Sequence, residues 1–317
     1  MLELALSLLA IFAGCALLYI GGDMLVSAST FIADRIGMSP VAIGATVVAI
    51  GTSAPELSVS LGAALNGYSD VSVGNVVGSN VCNIILVLGL CGMTRPLKPS
   101  PEIYKVDFPI LIAVSALFTA MIFDAVISRV EGFVLIAGLA SYVIWNLRRA
   151  AEEPSAVLEE VELPEEDESW FGPLWRAVAG IACLALGARW LVEGSLKALE
   201  PLNLTEASIG ITVVALGTSV PEIGTSLIAA KKGHADLAVG NAIGSSVFNL
   251  LGVLGATASI APLAANDVNL YDGAILMAVS FVGLVLVARK DGIGKLQGGI
   301  LVGAYLLYLF NAVSFAS

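Results

Sequence analysis

Apolar residues run through this chain in long unbroken stretches, and polar residues gather between them in short turns. A stretch of about 20 apolar residues wound as a helix crosses the hydrocarbon core of a bilayer. Ten stretches meet that length, near 3–22, 39–66, 71–93, 106–124, 130–148, 173–199, 205–230, 236–260, 270–288 and 296–315. Five precede an acidic break and five follow it. Each predicts one transmembrane helix.

Composition agrees with the pattern. Hydrophobic residues make up 57% of the chain, charged residues 13%, and the mean hydropathy is +0.92. A soluble domain carries about a quarter charged residues, so the expectation is an integral membrane protein. No basic footprint supports nucleic-acid binding. The first residues, Met1-Leu2-Glu3-Leu4, lack a basic n-region, so the first segment reads as a retained helix. Cys15, Cys82, Cys91 and Cys183 all lie in apolar stretches without metal-ligand spacing and read as small core side chains.

The net charge of −11 belongs to one place. Residues 151–169 hold nine acids and no base, and the rest of the chain carries −2. Such a run reads as a solvated spacer. Lys and Arg set the orientation. With the N-terminus outside, twelve of the fifteen basic residues fall on the inner side, leaving only Arg129, Arg189 and Lys197 outside. Both termini are then expected to face out and the acidic linker to be cytoplasmic.

The chain also repeats itself. Residues 43–89 and 209–255 align at a constant offset of 166 without gaps, and 27 of 47 positions are identical. Gly21, Leu25 and Val26 fall on Gly187, Leu191 and Val192 at the same offset. The repeat unit is therefore a five-helix half, the mark of a duplication. An odd number of helices per half turns the second copy upside down, the layout of many secondary transporters. The predicted fold is an all-α membrane protein of ten transmembrane helices in two inverted five-helix repeats, with broken helices at a central site. The first half spans 1–150, the acidic linker 151–172 and the second half 173–317.

Each repeat carries one carboxylate inside an apolar stretch, Glu56 and Glu222, and an intramembrane acid is a functional signal by default. Thr52 and Ser53 lie one helical turn from Glu56, as Thr218 and Ser219 do from Glu222. In the next helix Ser79 and Asn83 are four apart, and so are Ser245 and Asn249. All of these are oxygen donors, a set that suits hard cations such as calcium or sodium. Pro55 and Pro221 deprive the carbonyls of Gly51 and Gly217 of helical partners, adding backbone oxygens. Asn66, Asn75, Asn80 and Asn241 read as interhelical hydrogen-bonders. Asp70 and Asp236 read as caps. Asp23 and Arg189 read as snorkelling charges, and His234 reads as a surface residue.

Gly-Thr-Ser-x-Pro-Glu followed by Gly-Asn-x-x-Gly-Ser-x-x-x-Asn, present twice, resembles the alpha-repeats of the calcium/cation antiporter superfamily. The closest likeness is to the prokaryotic sodium/calcium exchangers. The resemblance implies that Glu56 and Glu222 are central calcium-binding carboxylates shared with sodium. Thr52 and Thr218 resemble the ligands beside them. Ser79 and Ser245 match the family's sodium-site serines, and Ala49 and Ala215 its sodium-site backbone carbonyls. Ser53 and Ser219 complete the motif, and Asn83 matches a site asparagine. Helices 1 and 6 resemble a gating pair that slides over an eight-helix core. Asn249 stands where some relatives have an acid, which argues against potassium co-transport.

The expected function is antiport of calcium against sodium across the cell membrane by alternating access, normally extruding calcium. The chain is expected to be no enzyme, to need no cofactor, and to work as a monomer in the lipid bilayer. The alternative is a proton/calcium antiporter using the same glutamates. Proton-coupled relatives usually carry Asn-Ala where this chain has Thr52-Ser53 and Thr218-Ser219. An intramembrane hydrolase lacks a histidine base inside the apolar stretches. A passive channel fits an inverted repeat less well than alternating access does.

Overall fold

The computed structural model describes residues 2–35, 49–152 and 171–314. Most of the acidic linker and the first part of the predicted span 39–66 lie outside the described residues.

In chain order the helices are α1 (Leu2–Arg35), α2 (Ala49–Thr52), α3 (Ala54–Leu65), α4 (Ser69–Thr94), α5 (Ile103–Asp124) and α6 (Arg129–Glu152). The second half contributes α7 (Phe171–Leu199), α8 (Glu206–Thr218), α9 (Val220–Lys232), α10 (Ala235–Ile260), α11 (Leu270–Val287) and α12 (Lys295–Ser314). Among the described residues eight helices are long and apolar enough to span a membrane, and nine if the bent pair α8–α9 counts as one span. The expected tenth falls on 39–66, of which α2 and α3 are described. Helix α1 runs on to Arg35, well past the predicted end near 22, because no proline or turn sequence interrupts it and Gly21–Gly22 are held against neighbouring helices.

Packing between the halves is reciprocal. Helices α1 and α7 run antiparallel along small residues. A Cβ placed on Gly14 would lie 2.7 Å from the Leu191 nitrogen and 2.9 Å from the Gly187 carbonyl oxygen. One on Gly180, which is Gly14 shifted by 166, would lie 2.9 Å from the Gly21 carbonyl oxygen. Only glycine admits such an approach, and close backbone packing is what holds helices together where lipid removes the hydrophobic drive. The same exchange recurs elsewhere. A Cβ on Gly89 would lie 3.0 Å from the Gly298 carbonyl oxygen, and one on Gly255 would lie 3.1 Å from that of Gly132. Ile127 in β1 (Val126–Ile127) pairs with Leu263 in β2 (Leu263–Ala264), and Leu97 pairs with Ile293. Each of these contacts maps onto its twin by the offset of 166.

The two aspartates join this exchange instead of capping their own helices. Asp70 accepts N–H bonds from Asp267 (2.9 Å) and Val268 (3.4 Å), and Asp236 accepts one from Ser100. Each donor lies in the opposite half, in a loop whose amides have no sheet or helix partner to hand. Arg189 pairs with Glu193 one turn along α7, at 2.9 Å. Cys82 and Cys91 are buried, Cys15 and Cys183 are half-buried, and all four thiols are free. The main core gathers α4, α5 and α6 with α9 to α12, and a smaller cluster packs α1 and α7 against α3 and α8.

Candidate ion-binding site

The glutamates sit just past two helix breaks. Helix α2 stops at Thr52; Ser53 has φ −89° and ψ 10°, and α3 resumes with Pro55 in its first turn. Helix α8 stops at Thr218; Ser219 has φ −80° and ψ 5°, and α9 resumes with Pro221 in its first turn. A ψ near zero turns the chain off the α path. The second break bends the span by 48°. Proline in the first turn removes the N–H that would reach back four residues, so the Gly51 and Gly217 carbonyls lose that donor. Glu56 and Glu222 therefore stand in the opening turn of a helix, where the backbone dipole favours negative charge.

Both carboxylates are fully buried. Among the described residues the charge acting on Glu56 is that of Glu222. The Thr218 and Ser219 hydroxyls lie alongside Glu56, and that of Ser245 alongside Glu222, yet none is aligned to hydrogen-bond a carboxylate oxygen. Sixteen buried side-chain nitrogen and oxygen atoms lack a hydrogen-bond partner among the described residues. Ten of them belong to three repeat-related pairs: Ser53 and Ser219, Glu56 and Glu222, Asn83 and Asn249. A buried polar group left unpaired costs about 1–3 kcal/mol, and a charged one more. Eight of the ten are oxygens and fit a cation that takes oxygen ligands; the other two are the Asn83 and Asn249 amide nitrogens, which donate.

The structure buries most of the expected residues, and it brings Glu56, Glu222, Ser79, Thr218, Ser219 and Ser245 together. Ser53, Ser79, Thr218, Ser219, Asn83 and Asn249 are fully buried, Ser245 is buried, and Thr52 is half-buried at the end of α2. The Ser79 and Thr218 hydroxyls meet at 3.3 Å. The Ala215 carbonyl accepts the Ser219 N–H at 3.1 Å and also lies 3.1 Å from the Thr218 hydroxyl, within its own half. Ala49 opens α2, and its side chain lies outside the described residues. Asn66 and Asn80 bond backward to carbonyls of their own helices, Gly62 and Val76, at 2.7 Å each.

Three features escaped the sequence reading. Asn83 lies in a π-helical turn, Cys82–Val87, and Asn249 begins another, Asn249–Val253, at the same repeat position. This rare widening recurs at functional sites and offsets side chains from the regular helix face; its recurrence would have needed backbone geometry to find. Cys82 lies beside Ser219 and Tyr305 at the rim of the centre, where its repeat mate is Phe248. Asn75 and Asn241 hydrogen-bond between helices as expected, and the unforeseen part is their acceptor, the glutamates' own main-chain carbonyls. The repeated Gly-Asn pair was the available signal for that role.

A helical membrane-spanning protein with a buried, duplicated oxygen-donor centre is the class that fold and site define. The family model described as sodium/calcium exchanger protein matches residues 6–148 and 173–313, and the chain belongs to that family. It is 34% identical over 305 residues to CaxA of Alkalimonas amylolytica, covering 94% of this chain and 95% of that one. It is 33% identical over 313 residues to the inner membrane protein YrbG of Escherichia coli (strain K12), covering 95% and 96%. Among solved structures it resembles the sodium-calcium exchanger NCX_Mj soaked with sodium and strontium, with a TM-score of 0.66, 29% identity, and 97% and 98% of the two chains covered.

Proposed function

We propose that the protein exchanges calcium for sodium by alternating access, with sodium entry normally driving calcium out of the cell. Glu56 and Glu222 are the shared carboxylates. Thr52, Thr218, Ser53, Ser219, Ser79, Ser245, Asn83, Asn249 and the Ala49 and Ala215 carbonyls complete the set from which calcium and sodium draw their ligands. The observation that carries this reading is a pair of buried acids whose four oxygens lack a hydrogen-bond partner, with no cation side chain acting on Glu56 among the described residues.

Electrostatics turns that centre into an exchanger. Two carboxylates in a dry interior cost several kcal/mol each unless a counter-charge accompanies them. One calcium, or several sodium ions, offsets the charge. An unloaded centre then crosses poorly between outward and inward states, and exchange becomes obligatory. The reciprocal contacts support ten spans in two inverted halves, 1–150 and 173–317, joined by a cytoplasmic linker at 151–172, with both termini outside. In that layout the centre falls near the midplane between the halves.

Isotope calcium uptake into proteoliposomes tests the function. Uptake driven by an outward sodium gradient is the expected result. Uptake driven by a pH gradient without sodium would replace it with proton/calcium antiport. The hydroxyls at Thr52, Ser53, Thr218 and Ser219 favour sodium, because a proton needs no such ligands.

A further inference from the structure

Each glutamate is gripped from behind by an asparagine of the repeated motif that lies outside the proposed ion-ligand set. The Asn75 amide N–H donates to the Glu56 main-chain carbonyl at 3.4 Å and to the Ser60 hydroxyl at 2.9 Å. Shifted by 166, the Asn241 amide donates to the Glu222 carbonyl at 3.5 Å and to the Ser226 hydroxyl at 2.9 Å. The grip ties the first turn of α3 to α4, and that of α9 to α10. Asn75 does one thing more. Its side-chain oxygen accepts the Thr218 hydroxyl at 3.1 Å, and Thr218 belongs to the other half. That hydroxyl also meets Ser79, one turn beyond Asn75 on α4. Asn75 is fully buried, so these bonds work in a low-dielectric interior and a lost one is not replaced by water.

We propose that Asn75 is the positioning residue that couples the two arms of the ion centre. Its amide fixes the backbone from which Glu56 projects, and its oxygen fixes the Thr218 hydroxyl that faces the same carboxylate. Asn241 does the first of these jobs for Glu222. The inference rests on the proposed ion-binding role of Glu56 and Thr218. Neither atom of Asn75 needs to touch the ion. Groups that orient metal ligands in this way change metal affinity about 10- to 100-fold when removed.

The test measures sodium-driven calcium uptake in proteoliposomes for the wild type, Asn75→Ala and Asn241→Ala, each corrected for the amount of folded protein by gel filtration. Asn75→Ala is expected to raise the half-saturating calcium concentration about tenfold, and the sodium concentration that half-inhibits uptake alongside it. Asn241→Ala is expected to raise the calcium value by a smaller factor. A purely structural role would lower the yield and the maximal rate while leaving both concentrations unchanged, and that result overturns the proposal. If Asn75→Ala does not fold, Asn75→Ser serves: it keeps a polar group there but is too short to span Glu56 and Thr218, so the same tenfold shift is expected and its absence overturns the idea. The wild-type vesicles report the proposed function, and the ratio of variant to wild type reports the coupling, so the two failures are told apart.

Discussion

Helices α3 and α9 carry the same motif, the same proline and the same buried glutamate, yet they are packed differently. Along α3, Ala54 is 8% exposed and Val59 is fully buried. At the equivalent places on α9, Val220 is 44% exposed and Thr225 is exposed. The difference lies in what leans on each helix. A Cβ at Gly22 of α1 would lie 3.6 Å from Pro55, and Ala188 of α7 sits 3.9 Å from a Cβ at Gly62, so both long helices rest on α3. Beside that contact α3 and α7 enclose a groove of about 940 Å³ lined by residues such as Leu57, Leu61 and Leu184. The corresponding partner of Gly22 would be Ile228, which is 56% exposed. Two repeat-related helices thus occupy two environments, and the α1–α7 pair decides which is which. The alternating access proposed above would exchange those environments.

The harshest challenge to the equivalence of the halves is to neutralise one acid at a time. Glu56→Gln and Glu222→Gln are each expected to reduce sodium-dependent calcium uptake to background while leaving a folded, membrane-inserted protein. Wild-type uptake in either variant would show that the two arms are not partners in one centre.

Cross-linking sharpens the difference in packing. Cβ atoms about 3.5–4.5 Å apart suit a disulfide. Gly62→Cys combined with Ala188→Cys, in a background without the four native cysteines, should cross-link readily on mild oxidation. Transport should fall by more than about tenfold and return on reduction, because a locked pair cannot exchange environments. The twin combination, Gly22→Cys with Ile228→Cys, should cross-link only as the carrier cycles, and faster when both ions are supplied. Equal rates with and without ions would remove the link between packing and state.

A smaller effect tests the seam between α1 and α7. Gly14→Val and Gly180→Val each push a side chain into backbone less than 3 Å away. Each should lower stability by about 1–3 kcal/mol, read as a fall in melting temperature, and the two falls should match. Gly303→Ala, on an open face of α12, should change it little or raise it slightly. The smallest effect is expected from deleting residues 152–168. Uptake should stay within about twofold of wild type, since a charged, unpacked run contributes no core; loss of transport would give the linker a role beyond that of a spacer.

Much of this was legible in the chain itself. The spans follow from apolar runs, and the paired acids with their hydroxyls follow from the repeat. Three kinds of feature were not. The partners of Asp70 and Asp236 come from loops about 200 and 136 residues away, and no local pattern encodes such a pairing. The π turns at Asn83 and Asn249 are backbone choices made by packing. The grip of Asn75 on a main-chain carbonyl was hidden because transmembrane asparagines pair with many things, and only geometry says which. The unequal exposure of α3 and α9 is only faintly marked in the sequence, by differences such as Val59 against Thr225, because it depends on which long helices lean on each.

The glycine seam carries an evolutionary consequence. Gly14 meets the chain at Gly187, and Gly180 meets it at Gly21, so a bulkier residue accepted in one gene half must be answered by a concession in the other. After duplication, the seam glycines were bound to a joint mutational fate. Descendants of such a gene should diverge slowly along the line where the two copies touch.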